Sequence, residues 1–198
     1  MRMEDIRQNS KYRDLMCTAR ELFWKHGFKR VTIEEICRKA SVSKMTFYRF
    51  FPNKLEIARA VFDEVVDESL VRFREIASEK SAPAEKMKRM LQLKFEGTSN
   101  ISPEFLQDFY NNPELGLKDY IEAKSKAVWI ETLEVYRKGK QEGWIRSDLN
   151  VEFMFTYLQM TTHLLSDKKL IGMFNTPQEM IMEVTNLFIY GISPKHVL

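Results

Sequence analysis

The chain is poor in the residues that most chemistry needs. Two cysteines in 198 residues, Cys17 and Cys37, have no C-x-x-C spacing and no histidine cluster beside them. No disulfide framework and no metal site are therefore expected, and a reduced, cytoplasmic setting follows. Three histidines leave little for acid–base work. No Ser/His/Asp arrangement, metal-ligand spacing or glycine-rich phosphate loop accompanies them, which argues against an enzyme and gives no reason to expect a cofactor. Seven glycines, six prolines and no long alternating run argue against a sheet. No apolar run approaches the ~20 residues that cross a bilayer, and no signal peptide is expected.

What is present is 44% hydrophobic and 12% aromatic, ample for a packed core. The net charge of +3 hides an asymmetry. Residues 1–54 carry thirteen Lys/Arg against six Asp/Glu, whereas 55–198 carry eighteen against twenty-two. A basic head on an acidic body fits a phosphate-facing end and a solvated remainder.

The informative stretch is Thr32 to Lys54, TIEEICRKASVSKMTFYRFFPNK. Thr32 with Glu35 three residues on is a capping pattern that starts a helix. Ile33, Ile36, Cys37 and Ala40 follow at the spacing of one buried helical face. Ser41-Val42 interrupts, and Ser43 caps a second segment in which Val42, Phe47 and Phe50 look inward. Lys44, Thr46, Tyr48 and Arg49 are left outward. A small residue at Cys37, a turn at Ser41 and an apolar anchor at Phe47 predict a helix-turn-helix whose second helix enters the major groove.

The run from Ala19 to Ile57 resembles the DNA-binding domain of the TetR/AcrR family of bacterial transcriptional repressors. The resemblance rests on Ala19-x-x-Leu22-Phe23, Gly27-Phe28, Thr32-Ile33-x-x-Ile36, Val42-Ser43-Lys44, Thr46-Phe47-Tyr48 and Phe51-x-Asn53-Lys54. Three positions depart from it. Ser41 stands where relatives usually carry Gly and is expected to take a left-handed backbone at a cost on the order of 1 kcal/mol. Met45 replaces a small residue, and Phe50 replaces a Tyr or His able to reach a phosphate.

In order along the chain, Ser10 is expected to cap a helix to about His26, with Leu15, Met16, Ala19, Leu22 and Phe23 buried and Gly27 ending it in a left-handed conformation. Asn53 caps the next helix, to about Ala77. Further helices are expected over 84–96, from Pro103 to about Asn111, and over 116–142, 151–167 and 177–190. The reading is all-α: a three-helix helix-turn-helix head over residues 1–53 and a helical effector-binding and dimerisation body over 54–198.

Within the head, Lys44 is assigned to guanine and Met45 and Thr46 to a thymine methyl. Tyr48 is assigned to a base edge or a phosphate, and Thr32, Ser43, Arg49 and Lys54 to phosphates. In the body, Phe95, Phe105, Phe109, Trp129, Tyr136 and Met154, with Gln159 and His163 as polar fixtures, are candidates to line a cavity for a hydrophobic or aromatic effector. The resemblance implies a homodimer through the last two helices. Phe153, Tyr157, Met160, Leu164, Met180, Ile181, Val184, Leu187 and Phe188 are its candidate residues. The expected function is a dimeric, ligand-responsive repressor of a double-stranded DNA operator. A helical interaction module that has lost DNA binding, supported by Met45 and Phe50, and a small-molecule enzyme are the alternatives.

Overall fold

A computed structural model describes residues 7–110, 112, 115–164 and 167–194, of which 162, 163 and 168 are described in their backbone alone. The regular structure among the described residues is helical. The contacts divide the chain into two units, neither of them continuous. One comprises the chain up to Val65 together with Asn100–Ile121, and the other Val66–Ser99 with Glu122 onward. Compaction therefore does not follow the division at residue 53.

In the first unit, helix α1 (Ser10–Arg30) is capped by Asn9, whose side chain accepts from the Lys11 amide at 3.0 Å, one residue before the expected Ser10. Its expected stripe of Leu15, Met16, Ala19, Leu22 and Phe23 is buried, joined by Trp24. At Gly27 the helix is interrupted by a backbone with φ 74° and ψ 174°. That conformation is open essentially to glycine alone and is more extended than the left-handed helical turn expected there. Helices α2 (Ile33–Lys39) and α3 (Lys44–Phe50) follow, capped by Thr32 and Ser43 as their sequence signals predict.

Between them Ser41 has φ 53°, and the Val42 amide reaches back to the Cys37 carbonyl at 2.9 Å. This is the Schellman ending of a helix, with a serine in the position glycine usually fills and a buried Val42 following it. The strain foreseen at Ser41 is present.

Helix α4 (Lys54–Ser78) begins at Asn53, whose carboxamide accepts from the Glu56 amide at 3.0 Å. The first unit is completed by α6 (Pro103–Tyr110), after α5 (Pro83–Gly97) in the chain. Helix α6 packs on α1. The Ser102 amide donates to the Trp24 carbonyl at 2.9 Å, Phe105 lies 4.5 Å from the Trp24 ring, and Phe109 stacks on Phe105 at 4.3 Å. Phe23 and Phe28 close the aromatic cluster against Phe109.

The second unit is built from α5, most of α7 (Lys118–Glu142), α8 (Val151–Leu164), the short α9 (Lys168–Ile171) and α10 (Pro177–Ile192). Its core joins Met87 and Met90 of α5 to Tyr136, Trp144, Ile145, Leu149, Met154, Leu158, Ile189 and Ile192. The turn after α7 wraps Trp144 so closely over Gly139 that a Cβ there would meet the indole at 2.4 Å. Lys86, itself buried, donates from its ammonium to the carbonyls of Ile76, Ala77 and Glu79, closing the last turn of α4. Thr176 and Glu179 open α10 with a reciprocal cap: Thr176 Oγ1 accepts from the Glu179 amide, and Glu179 accepts from the Asn175 amide.

Candidate nucleic-acid interface

Helix α3 is anchored by Phe47, which is fully buried and edge-on to Tyr48. Seven residues make two turns, so a single anchored face leaves the opposite one to solvent. Met45 is 83% exposed and Tyr48 54% exposed, and Ser43, Lys44 and Arg49 are exposed beside them. Thr46 is half-buried, with its hydroxyl 3.0 Å from that of Ser43. Ser43 Oγ also accepts the Thr46 amide at 3.1 Å, and Thr32 Oγ1 accepts the Glu35 amide at the same distance. These two hydroxyls fix the starts of α3 and α2, and both residues are exposed. Phe50 is half-buried, edge-on to Tyr12 at 5.7 Å and covered by the Arg49 guanidinium at 5.2 Å.

Two lysines differ from the reading of the sequence. The Lys44 ammonium is paired with the Glu34 carboxylate of α2. Each holds the other's charge: the Lys44 ammonium keeps Glu34 below the ordinary carboxylate value, and Glu34 raises Lys44. Both side chains are more than half exposed, so the pair opens easily to a competing phosphate or base.

Lys54 is a correction. Its ammonium donates to the carbonyls of Phe28 and Val31, at 2.8 Å each, and lies 4.2 Å from the centre of the Phe28 ring. Burial lowers its pKa, opposed by the charge of Asp108. It closes the C-terminal end of α1, and its charge is directed at those carbonyls rather than offered to a phosphate.

Asp108 completes this clasp from α6. It is buried, and its carboxylate accepts the Lys29 amide at 2.7 Å. A Cβ at Gly27 would stand 2.7 Å from the same oxygen and 2.9 Å from the Glu104 carbonyl. Neither Asp108 nor Glu34 was found from the sequence. Their partners lie 79 and 10 residues away, and no local spacing announces such pairs.

The residues assigned to an effector cavity are divided between the two units. Phe105 and Phe109 are buried in the aromatic core of the first unit, whereas Tyr136 and Met154 are buried in that of the second. Trp129 packs against the latter, Gln159 is half-buried, and Phe95 is 54% exposed. The side chain of His163 lies outside the described residues.

The dimer candidates also divide. Phe153, Tyr157, Met160 and Leu187 are exposed, with Tyr190 beside them as a further exposed ring. Leu164, Val184 and Phe188 are half-buried. Met180 and Ile181 are buried, because they fall on the inward face of α10 with Ile189 and Ile192. They belong to the interior of the chain's own fold.

Residues 15–61, spanning α1 to the first turns of α4, match the family model described as bacterial regulatory proteins, tetR family. The match places a TetR-family DNA-binding domain at residues 15–61. The similar proteins support a ligand-responsive DNA-binding regulator of transcription and not an enzyme. Among similar proteins is the HTH-type transcriptional repressor KstR2 of Mycobacterium tuberculosis, 24% identical over 78% of each chain. The fatty acid metabolism regulator protein of Bacillus subtilis is 24% identical over 87% of this chain and 94% of its own. In fold, this chain is similar to the fatty acid degradation regulator FadR from Bacillus halodurans, with TM-score 0.67 over 93% and 97% of the two chains at 20% identity. It is also similar to FadR from Bacillus subtilis in complex with stearoyl-CoA, with TM-score 0.62 over 91% and 99% at 21% identity. No helix among the described residues is long and apolar enough to cross a membrane.

Proposed function

We propose that this regulator is a repressor that binds a palindromic operator as a homodimer and is released by a small hydrophobic or aromatic effector. The observation that carries the reading is the outward face of α3. Met45 and Tyr48 are large apolar side chains left in water beside Ser43, Lys44 and Arg49, on a helix whose other face is locked by Phe47. Such a face costs solubility unless a partner covers it. Its mixture of methyl, phenol, hydroxyl and ammonium suits base edges and phosphates in a major groove.

Two heads are needed to read a palindrome, about one helical turn (~34 Å) apart. The exposed Phe153, Tyr157 and Met160 recur at i, i+4 and i+7 on α8, and Leu187 and Tyr190 at i and i+3 on α10. These two stripes support a self-complementary two-fold interface. The effector acts by its differential affinity for the operator-competent and incompetent states.

Tyr48→Ala tests the reading. The ring is over half exposed, so its removal leaves the core of the head intact. Binding to DNA from upstream of the protein's own coding region, measured by fluorescence anisotropy at fixed salt, is expected to weaken while the dimer persists. Unchanged affinity would refute the assignment of α3.

A further inference from the structure

Where α1 meets α2, the head gathers cations with little to balance them. Lys25, His26 and Arg30 lie in the last turns of α1, and the Arg30 guanidinium donates to His26 Nδ1 at 2.5 Å. Helix α2 packs on α1. Glu35 and Lys39, at i and i+4 on one face of α2, bear on His26 from across that contact. Burial holds the imidazole below its ordinary value, and the charges of Arg30, Lys25 and Lys39 lower it further, opposed by Glu35. Three cations from two helices thus surround one ring, with a single carboxylate among them.

Lys25, Arg30 and Lys39 are all exposed, and among the described residues none of them is in an ion pair. Lys44 of α3 differs, because Glu34 already matches its charge. Free positive charge in the head is therefore found on the flank of α2, whereas the lysine that opens α3 is matched. Like charges held together repel one another, and a polyanion relieves that repulsion.

The position of the cluster points to one polyanion. Glu34 turns toward α3, where it meets Lys44, while Glu35 and Lys39 turn toward α1. The cluster therefore lies on the side of α2 away from α3. When the second helix of a helix-turn-helix lies in the major groove, the first crosses the phosphate backbone. The far side of α2 then overhangs the strand that borders the groove. Val31 and Thr32 are extended and Val31 is buried, so Arg30 and the exposed Thr32 leave the chain on the same side.

We infer that Lys25, Arg30 and Lys39 form a second phosphate-gripping surface of the head, holding the duplex backbone beside the groove that α3 enters. This rests on the reading of α3 as the groove-entering helix, and it separates two tasks. The face of α3 reads bases, and the flank of α2 supplies sequence-independent grip.

Fluorescence anisotropy tests it, with a duplex from upstream of the protein's own coding region and a scrambled duplex of the same length. The full-length protein is compared with Lys25→Gln/Lys39→Gln, with Arg30→Gln, and with Lys25→Arg/Lys39→Arg, which keeps the charge. Lys88→Gln/Lys126→Gln removes the same net charge from exposed positions on α5 and α7. Plotted as log affinity against log salt, the Gln pair is expected to flatten the slope by about two and Arg30→Gln by about one. Both weaken the two duplexes in equal proportion, so the preference for the upstream duplex survives. The Arg pair and the α5/α7 pair keep the slope of the wild type.

An unaltered slope in the Gln pair or in Arg30→Gln would overturn the proposal, as would an equal flattening in the Arg pair or in the α5/α7 pair. Loss of the preference for the upstream duplex in the Gln pair would overturn it too, since these residues would then be reading bases. Failure of the wild type to bind either duplex would instead overturn the DNA-binding reading itself, and this surface with it.

Discussion

Glu34 and Lys44, on successive helices of the head, neutralise one another across the turn that joins them. A residue assigned to a guanine edge thus carries a competitor for its charge, and the bare carboxylate left behind on DNA binding repels nearby phosphates. Glu34→Gln is expected to tighten operator binding by roughly two- to tenfold and to make it less sensitive to which base faces Lys44. Anisotropy titrations on the operator and on a sequence with that base changed check both effects. Unaltered affinity would mean that Lys44 stays away from the duplex.

Lys54 gives the opposite expectation from that of a phosphate contact. Lys54→Met leaves the Phe28 and Val31 carbonyls without their donor and removes a cation from the face of the Phe28 ring. The loss is expected to be roughly 1–2 kcal/mol, measured by urea unfolding. The dependence of operator affinity on salt is expected to keep its slope. A slope flatter by about one would return Lys54 to the phosphates.

Gly27 is confined twice, by a positive φ and by the approach of Asp108 and Glu104. Gly27→Ala is expected to cost roughly 2–4 kcal/mol, from the strained backbone and the displaced α6 together. Asp108→Ala, which strands the Lys29 amide, is expected to cost about 1–3 kcal/mol. Because both act on one contact, the double variant is expected to lose less than the two single losses combined. Simple additivity in unfolding titrations would place the two effects at separate sites.

On α8 and α10, substitution of an exposed stripe residue separates association from folding. Phe153→Glu and Leu187→Glu are expected to yield single chains by light scattering and to weaken palindrome binding on the order of 100-fold, since each head then binds alone. Ile181→Glu, by contrast, puts a charge in the interior of α10 and is expected to lower Tm. An equal fall in Tm for all three would argue against an interface on these stripes.

What the sequence disclosed was local. Thr32 and Asn53 cap helices where the sequence places them, and Ser43 and Thr176 do the same through the Thr46 and Glu179 amides, because each bond closes within three residues. Ser41 was legible for the same reason: a short turn between two apolar stripes admits few backbones. Contacts that span the chain were not legible. Phe105 and Phe109 look like any aromatic pair at helical spacing, and only the fold brings them onto Trp24 and Phe23. The inward set of α10 was misjudged at Met180 and Ile181 because both faces of that helix are apolar, so periodicity does not choose between them. Lys54 was misread because a lysine at a helix start near a basic segment has the same sequence signature whether it meets a phosphate or a carbonyl.

The aromatic cluster joining α1 to α6 bears on how such regulators can be recombined. Part of what shields Trp24, Phe23 and Phe28 is supplied from beyond residue 100, by Phe105 and Phe109. A chimaera cut after the helix-turn-helix would therefore inherit a head with an open side, and a transplant that is to stay folded has to carry Asn100–Ile121 along with it.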